Sequence, residues 1–184
     1  MFKDSILKMS LSIIANSIVA SFICVIMVFA FSGFIVTSWG KPVYEVLAIL
    51  IMGSLIYGVS WQSGFKDYNK VKFGHITKFI RKGFVAGAIA DIPFLILYIV
   101  FIISFLIKTA HDVFYNITYT VYLFFNMPYS LIIGALKNQP AFLCLFLLVL
   151  PIISGIGYIL GYKDISLTGR LVYKNSKNIA KLRR

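Results

Sequence analysis

The chain has 184 residues, of which 60% are hydrophobic and 13% charged, with a formal net charge of +12 and a mean hydropathy of +0.90. This composition lies far outside the averages of soluble domains and excludes a water-soluble protein. Because one membrane span needs about 20 apolar residues, the chain has room for roughly four to six spans and none for a soluble catalytic module.

The first third of the chain predicts two membrane spans that pair as a helical hairpin. The first is an uncharged stretch over 11–38, followed by Trp39, whose indole suits the membrane interface. Its apolar core is too long for a signal peptide and no cleavage site follows, so we expect an uncleaved anchor. The second span covers 43–61 and ends at Trp61.

The segment 67–82 predicts an amphipathic helix on the cytoplasmic side. Its apolar side chains fall on one broad arc of a helical wheel, and most of its basic side chains fall opposite them. Such a helix lies in the plane of the lipid headgroups. Lys72 and His75 fall on the apolar arc, so the amphipathic pattern is imperfect.

The third predicted span ends at 107 and begins at either 84 or 92, because Asp91 and Pro93 interrupt the apolar run. We favour the interpretation in which Asp91 caps a helix that begins at Ile92, with Pro93 in its first turn. In the alternative, Asp91 is an intramembrane carboxylate that couples proton or cation movement within a broken helix.

The segment 113–136 is uncharged and long enough to span, but it is rich in aromatic and polar residues and contains Pro128. We favour a broken external segment that is re-entrant or interfacial and does not cross the membrane, which requires shelter by other helices. Five complete spans are the alternative. A fourth span is predicted over 141–162, opened by Pro140, where a missing backbone N–H is harmless.

Small residues recur four positions apart in the last two spans, as Gly83 and Gly87 and again as Gly157 and Gly161. This pattern lets helices approach closely, so it predicts that the third and fourth spans pack through these glycines. An oligomer interface is the alternative use of the same faces.

Most of the positive charge lies on one predicted side of the membrane. Of 18 lysines and arginines, 15 fall in the first ten residues, in 66–82 and in 163–184. The positive-inside rule therefore predicts that both termini are cytoplasmic, with a basic tail over 163–184. We expect this face to contact anionic lipid headgroups or an acidic partner protein. The predicted contact residues are Lys70, Lys78, Arg81, Lys82, Lys174, Lys177, Lys181, Arg183 and Arg184.

Two stretches, "GFKDYNKVKFGHITKFIRKGFVAGAIADIP" and "GYILGYKDISLTGRLVYKN", resemble segments of small multipass membrane proteins of low-GC Gram-positive bacteria. The resemblance covers about a third of the chain. It implies a bacterial plasma membrane location and carries no assigned function or ligand residue.

The sequence offers little other chemistry. Cys24 and Cys144 lie in separate predicted spans, and His75 and His111 lie on opposite predicted sides, so no metal site or catalytic triad is expected. We expect no enzyme activity and no cofactor. Nucleic acid is not an expected partner, because no nucleic-acid-binding motif accompanies the charge.

Two classes of function remain. The first is an accessory membrane protein that binds another membrane protein through its basic cytoplasmic face, or forms a homo-oligomer. The second is a small transporter or channel that uses Asp91 and Pro93 in a broken third helix. We favour the first class, because one carboxylate and scattered amides make a poor polar pathway.

Overall fold

A computed structural model of the protein describes residues 2–75, 79–107, 113–136 and 138–165. Every regular element in these ranges is helical. The α-helices are α1 Phe2–Ala30, α2 Ser32–Ile35, α3 Gly40–Lys72, α4 Lys82–Ala90, α5 Ile92–Ile107, α6 Val113–Phe125, α7 Ser130–Ala135 and α8 Val149–Tyr162. Two 3₁₀ helices accompany them, η1 Met127–Tyr129 and η2 Pro140–Leu148.

Four helical stretches of the described chain are long and apolar enough to cross a membrane. They are Ile6–Ala30, Gly40–Lys72, Lys82–Ile107 and Pro140–Tyr162. Large apolar side chains cover their outer surfaces, as expected where a helix faces lipid. The prediction of an all-α membrane protein with four spans is confirmed.

The boundaries of the first two spans differ from those predicted. The first helix ends at Ala30 rather than near 38, because the chain turns at Phe31 into the short helix α2. The second runs from Gly40 to Lys72 and continues well past Trp61. Hydropathy marks where apolar residues stop, whereas a helix ends where its backbone hydrogen bonds end.

The predicted amphipathic helix over 67–82 is wrong. Asp67 to Lys72 form the last turns of α3, and the chain then turns at Gly74, which has a positive φ of 75° that favours glycine. A new helix begins at Lys82. The segment therefore joins two antiparallel helices rather than lying as one helix in the headgroup plane; residues 76–78 lie outside the described chain.

Helix α3 is longer than the membrane is thick. Its 33 residues span about 50 Å, whereas the hydrocarbon core of a bilayer is about 30 Å thick. Trp39 and Trp61 are separated by about 33 Å along this helix, which suits two interfacial tryptophans. Lys66 to Lys72 therefore extend beyond the hydrocarbon at one end, which we call the basic end.

The segment 113–136 forms a broken hairpin, as predicted. Helix α6 packs antiparallel to α5, where the ring of Phe101 stacks on that of Tyr122 at 5.1 Å and the hydroxyls of Ser104 and Thr118 lie 2.6 Å apart. The chain reverses through η1 and returns as α7. With 13 residues, α6 is too short to cross the membrane, so the alternative of five complete spans is not supported.

Helix α8 packs closely against both α3 and α4. Glycines of α4 allow the contact between α4 and α8, and glycines of α8 allow the contact between α8 and α3. Gly83 and Gly87 of α4 face α8, where an added Cβ at Gly83 would lie 2.7 Å from the Ser154 carbonyl oxygen. This half of the packing prediction is confirmed. The other half is wrong, because Gly157 and Gly161 face Ser60 and Trp61 of α3 instead of the third span.

We predict that Gly64→Ala destabilises the protein by about 1–3 kcal/mol, because the new methyl group would overlap the backbone of Tyr158 in α8. Gly58 in the same helix has open space around it, so Gly58→Ala should be neutral or stabilise by up to about 1 kcal/mol. Thermal unfolding of both variants in one detergent measures the difference. Equal melting temperatures would contradict the close packing of α3 on α8.

Candidate functional site

Polar side chains are buried at three levels of the bundle. Glu45, near the start of α3, lies at the level of the broken hairpin. Asp91, between α4 and α5, lines a cavity with Met52, which is roughly midway between the two tryptophans of α3. Asp67 and Lys82 lie at the basic end. Each level places an ionisable group where ordinary apolar packing would suffice, so each level is a candidate site.

The Glu45 carboxylate holds the returning arm of the hairpin. Its two oxygens accept hydrogen bonds of 3.3 Å from the backbone N–H groups of Leu131 and Ile132, which open α7. The first arm of the hairpin is α6. The Ser21 hydroxyl donates a hydrogen bond to the carbonyl of Phe125, the last residue of this helix. Side chains therefore satisfy backbone groups at the break, as an interrupted helix within a membrane requires.

The carboxyl group of Asp91 lies inside the bundle and is 8% exposed. It lines an enclosed cavity of about 10 Å³, which has room for about one water molecule. Ser17, Ser21, Asn126 and Tyr129 supply polar atoms to the same wall. Within the described residues, the Asp91 side chain makes no hydrogen bond or ion pair.

The interpretation of Asp91 as a helix cap is wrong. Helix α5 does begin at Ile92, as predicted, but the Asp91 backbone is helical, with φ −76° and ψ −17°, whereas an N-capping residue has a non-helical backbone. Its N–H bonds the Gly87 carbonyl at 3.0 Å, and its own carbonyl accepts from the Leu95 N–H at 2.8 Å. Helices α4 and α5 therefore continue into one another, and the third span begins at Lys82 rather than at 84 or 92.

Pro93 follows this junction directly. A proline has no backbone N–H, so the carbonyl of Ile89, four residues earlier, loses its usual helical donor. Asp91 and Pro93 thus combine an ionisable side chain with a local gap in the helical hydrogen bonds, near the middle of the bundle. Both residues therefore lie within the span Lys82–Ile107.

A three-residue cluster ties α3, α4 and α8 together at the basic end. The Lys82 ammonium group lies 2.5 Å from the Asp67 carboxylate, and the Tyr158 hydroxyl donates to the same oxygen at 2.9 Å. All three side chains are buried. The Ser154 hydroxyl donates to the Gly83 carbonyl beside them, so α8 is hydrogen-bonded to both neighbouring helices.

The prediction that Lys82 contacts lipid or a partner as a surface cation is wrong, because its charge is buried and paired with Asp67. Lys70 and Arg81 are exposed, as a contact role requires. The remaining predicted contact residues lie outside the described residues; they are Lys78, Lys174, Lys177, Lys181, Arg183 and Arg184.

Sequence reasoning missed the Asp67–Lys82 pair because it placed both residues on one surface helix. The available signal was that Asp67 is the only acid among the cations of 66–82. It also missed the contact of Glu45 with α7, which depends on a hairpin whose return path has no periodic signal. Asp91 was identified as a carboxylate that could lie inside the membrane, although the favoured interpretation made it a helix cap; the structure buries it.

Within the described residues, no group of three or more His, Cys, Asp or Glu side chains is close enough to hold a metal ion. Comparison of the chain with protein-family models, with curated proteins and with solved structures gave no match. The features that bear on function are therefore the buried ionisable side chains and the surface of the basic end.

We predict that removing either partner of the buried ion pair destabilises the fold by about 3–5 kcal/mol, because the remaining buried charge loses this ion pair. Asp67→Asn and Lys82→Gln are the single variants. The double variant should recover more than half of the loss, since an amide pair carries no charge. A double-mutant cycle of unfolding in detergent measures the coupling, and additive losses would contradict it.

Proposed function

We propose that the protein is an accessory membrane subunit whose basic end binds an acidic partner protein in the same membrane. The observation that carries this proposal is a mixed basic and apolar surface around the α3–α4 turn. Lys72 and Arg81 flank the turn, and Lys163 follows the end of α8. All three are exposed, and none is in an ion pair with another described residue.

The apolar part of this surface supports the same proposal. Phe73 is 70% exposed and directly follows Lys72. Exposed aromatic side chains beside arginine are typical of protein interfaces, where the ring supplies buried area and the cation supplies orientation. Unpaired positive charge favours a partner with complementary acidic side chains.

The interior supports an accessory role over transport. The Asp91 cavity holds about one water molecule, which does not make a path across the membrane. The small-residue faces of α8 and the Asp67–Lys82 pair fix the helices against one another. A rigid bundle with a specific end surface suits a subunit that docks.

We also infer that the basic end is cytoplasmic and that the membrane is the plasma membrane of a bacterium. The inference on sidedness rests on the positive-inside rule, since Lys8, Lys66 and Lys70 lie at one end and Lys41 at the other. The resemblance to small multipass proteins of low-GC Gram-positive bacteria supports the location.

We predict that reporter fusions at the N-terminus, near Asn69 and after Arg184 all report the cytoplasm, because the broken hairpin leaves an even number of crossings. A fusion at Lys41 should report the opposite side. An external signal after Arg184 would mean that 113–136 crosses the membrane, and would contradict the inferred topology.

Purification of the full chain from its native membranes in mild detergent should yield one stoichiometric acidic membrane protein. We predict that the charge-reversal variant Lys72→Glu/Arg81→Glu/Lys163→Glu loses this protein while its melting temperature stays unchanged, because the three side chains are exposed. Binding should also weaken as salt rises.

Lys41→Glu is the matched control, because Lys41 is equally exposed but lies at the opposite end of α3. This variant should retain the partner. Retention of the partner by the triple variant, or recovery of the wild-type chain alone, would contradict the proposal.

A second function is favoured by one observation, the buried carboxyl group of Asp91 without a hydrogen bond or ion pair. Charged side chains at this depth are costly and usually functional, so the protein is alternatively a small cation- or proton-coupled transporter. In this case the chain must open a path to the cavity that the present conformation closes.

Proteoliposomes containing wild type or Asp91→Asn test this alternative. The substitution preserves size and breaks no side-chain bond, so the melting temperature should not fall. Transport would require the wild type to show proton or cation flux that Asp91→Asn abolishes and that the control Ser54→Ala, a residue outside the cavity, retains. Equal flux in the wild type and Asp91→Asn, or none in either, would reject it.

A further inference from the structure

A concave pocket of about 240 Å³ opens at the basic end between α1 and α3. Among the residues whose side chains the structure describes, four lysines and one aspartate line it, which together carry a formal charge of +3. Lys8 comes from α1, whereas Lys66 and Lys70 come from α3, one helical turn apart and therefore on one face. Lys82 is the fourth lysine, and its charge is neutralised by Asp67 in the pocket floor.

The three remaining lysines have no ion-pair partner in the described part of the chain. Within the described residues, the ammonium groups of Lys8, Lys66 and Lys70 make no ion pair or hydrogen bond. Like charges gathered around one concavity repel one another, and an anion placed between them relieves this repulsion. Ser12 and Ser63 add two hydroxyl donors to the same wall. Multiple donors around an anionic centre match the several acceptor oxygens of a phosphate.

The volume of the pocket and its position relative to the membrane further limit the class of ligand. Its volume is below the range of about 300–1,000 Å³ that is typical of sites for drug-sized molecules, so it suits a headgroup-sized anion. Lys66 is about 7 Å beyond the interfacial residue Trp61 along α3, which places the pocket at the level of the lipid phosphates.

We propose that this pocket binds the phosphate group of a small phosphorylated ligand, either an anionic phospholipid headgroup or a soluble phosphate ester. Lys8, Lys66 and Lys70 supply the charge, and Ser12 and Ser63 supply directed hydrogen bonds. The site is independent of the partner surface proposed above, because it shares no residue with Lys72, Arg81 and Lys163.

Binding to the full chain in a neutral detergent tests the proposal. The probes are short-chain phosphatidylglycerol, glycerol phosphate and inorganic phosphate, with short-chain phosphatidylcholine as the zwitterionic control. We expect one phosphatidylglycerol molecule per chain by native mass spectrometry and a higher melting temperature on binding. Tighter binding of phosphatidylglycerol than of the soluble phosphates identifies a lipid site, whereas equal binding identifies a soluble phosphate ester as the ligand.

The variant Lys8→Gln/Lys66→Gln/Lys70→Gln should bind about a hundredfold more weakly, because each cation near an anionic surface contributes about a factor of five. Two control variants distinguish the effect of positive charge in this pocket from the effect of the net positive charge of the protein. Lys72→Gln/Arg81→Gln/Lys163→Gln should keep full affinity, and Lys8→Arg/Lys66→Arg/Lys70→Arg should restore it. Undiminished binding by the first variant, equal loss in the Lys72 set, or equal binding of phosphatidylcholine would overturn the proposal.

Discussion

The buried contact among Asp67, Lys82 and Tyr158 is the interaction on which the rest of the basic end depends. It joins α8 to α3 and α4, the two helices that pack most extensively on α8 in the described chain. It also sets the charge of the adjoining pocket, because Asp67 neutralises Lys82 but not Lys8, Lys66 or Lys70, which have no ion-pair partner among the described residues. The same pair thus fixes the helices and determines which cations remain available to a ligand.

The opposite half of the bundle is governed by a different constraint, the need to satisfy backbone groups away from water. The reversal between α6 and α7 exposes carbonyl and N–H groups that a continuous helix would pair internally. Ser21 of α1 and Glu45 of α3 form hydrogen bonds with these backbone groups. The aromatic side chains of α6 fill the space against α5, so the hairpin is packed protein rather than an exposed loop.

Hydropathy was sufficient to predict the number of spans, because a run of apolar residues has few alternatives in a chain of this composition. It could not place their ends, since Lys66 to Lys72 continue a helix that had already left the hydrocarbon. Small-residue spacing identified the close faces, but not that Gly157 and Gly161 meet α3. The pairing of Asp67 with Lys82 could not be predicted from the sequence for the same reason: the partner of a residue depends on how the helices are arranged and not on the local sequence pattern.

The 3₁₀ helix Pro140–Leu148 gives the fourth span a reach that its residue count does not suggest. A 3₁₀ helix rises about 2.0 Å per residue, compared with about 1.5 Å for an α-helix, so its nine residues extend about 4–5 Å further. Biological membranes differ in hydrophobic thickness by a few Å. The 3₁₀ form of this segment therefore lengthens the fourth span by an amount comparable with that difference, whereas α8 is held in place by its close contacts with α3 and α4.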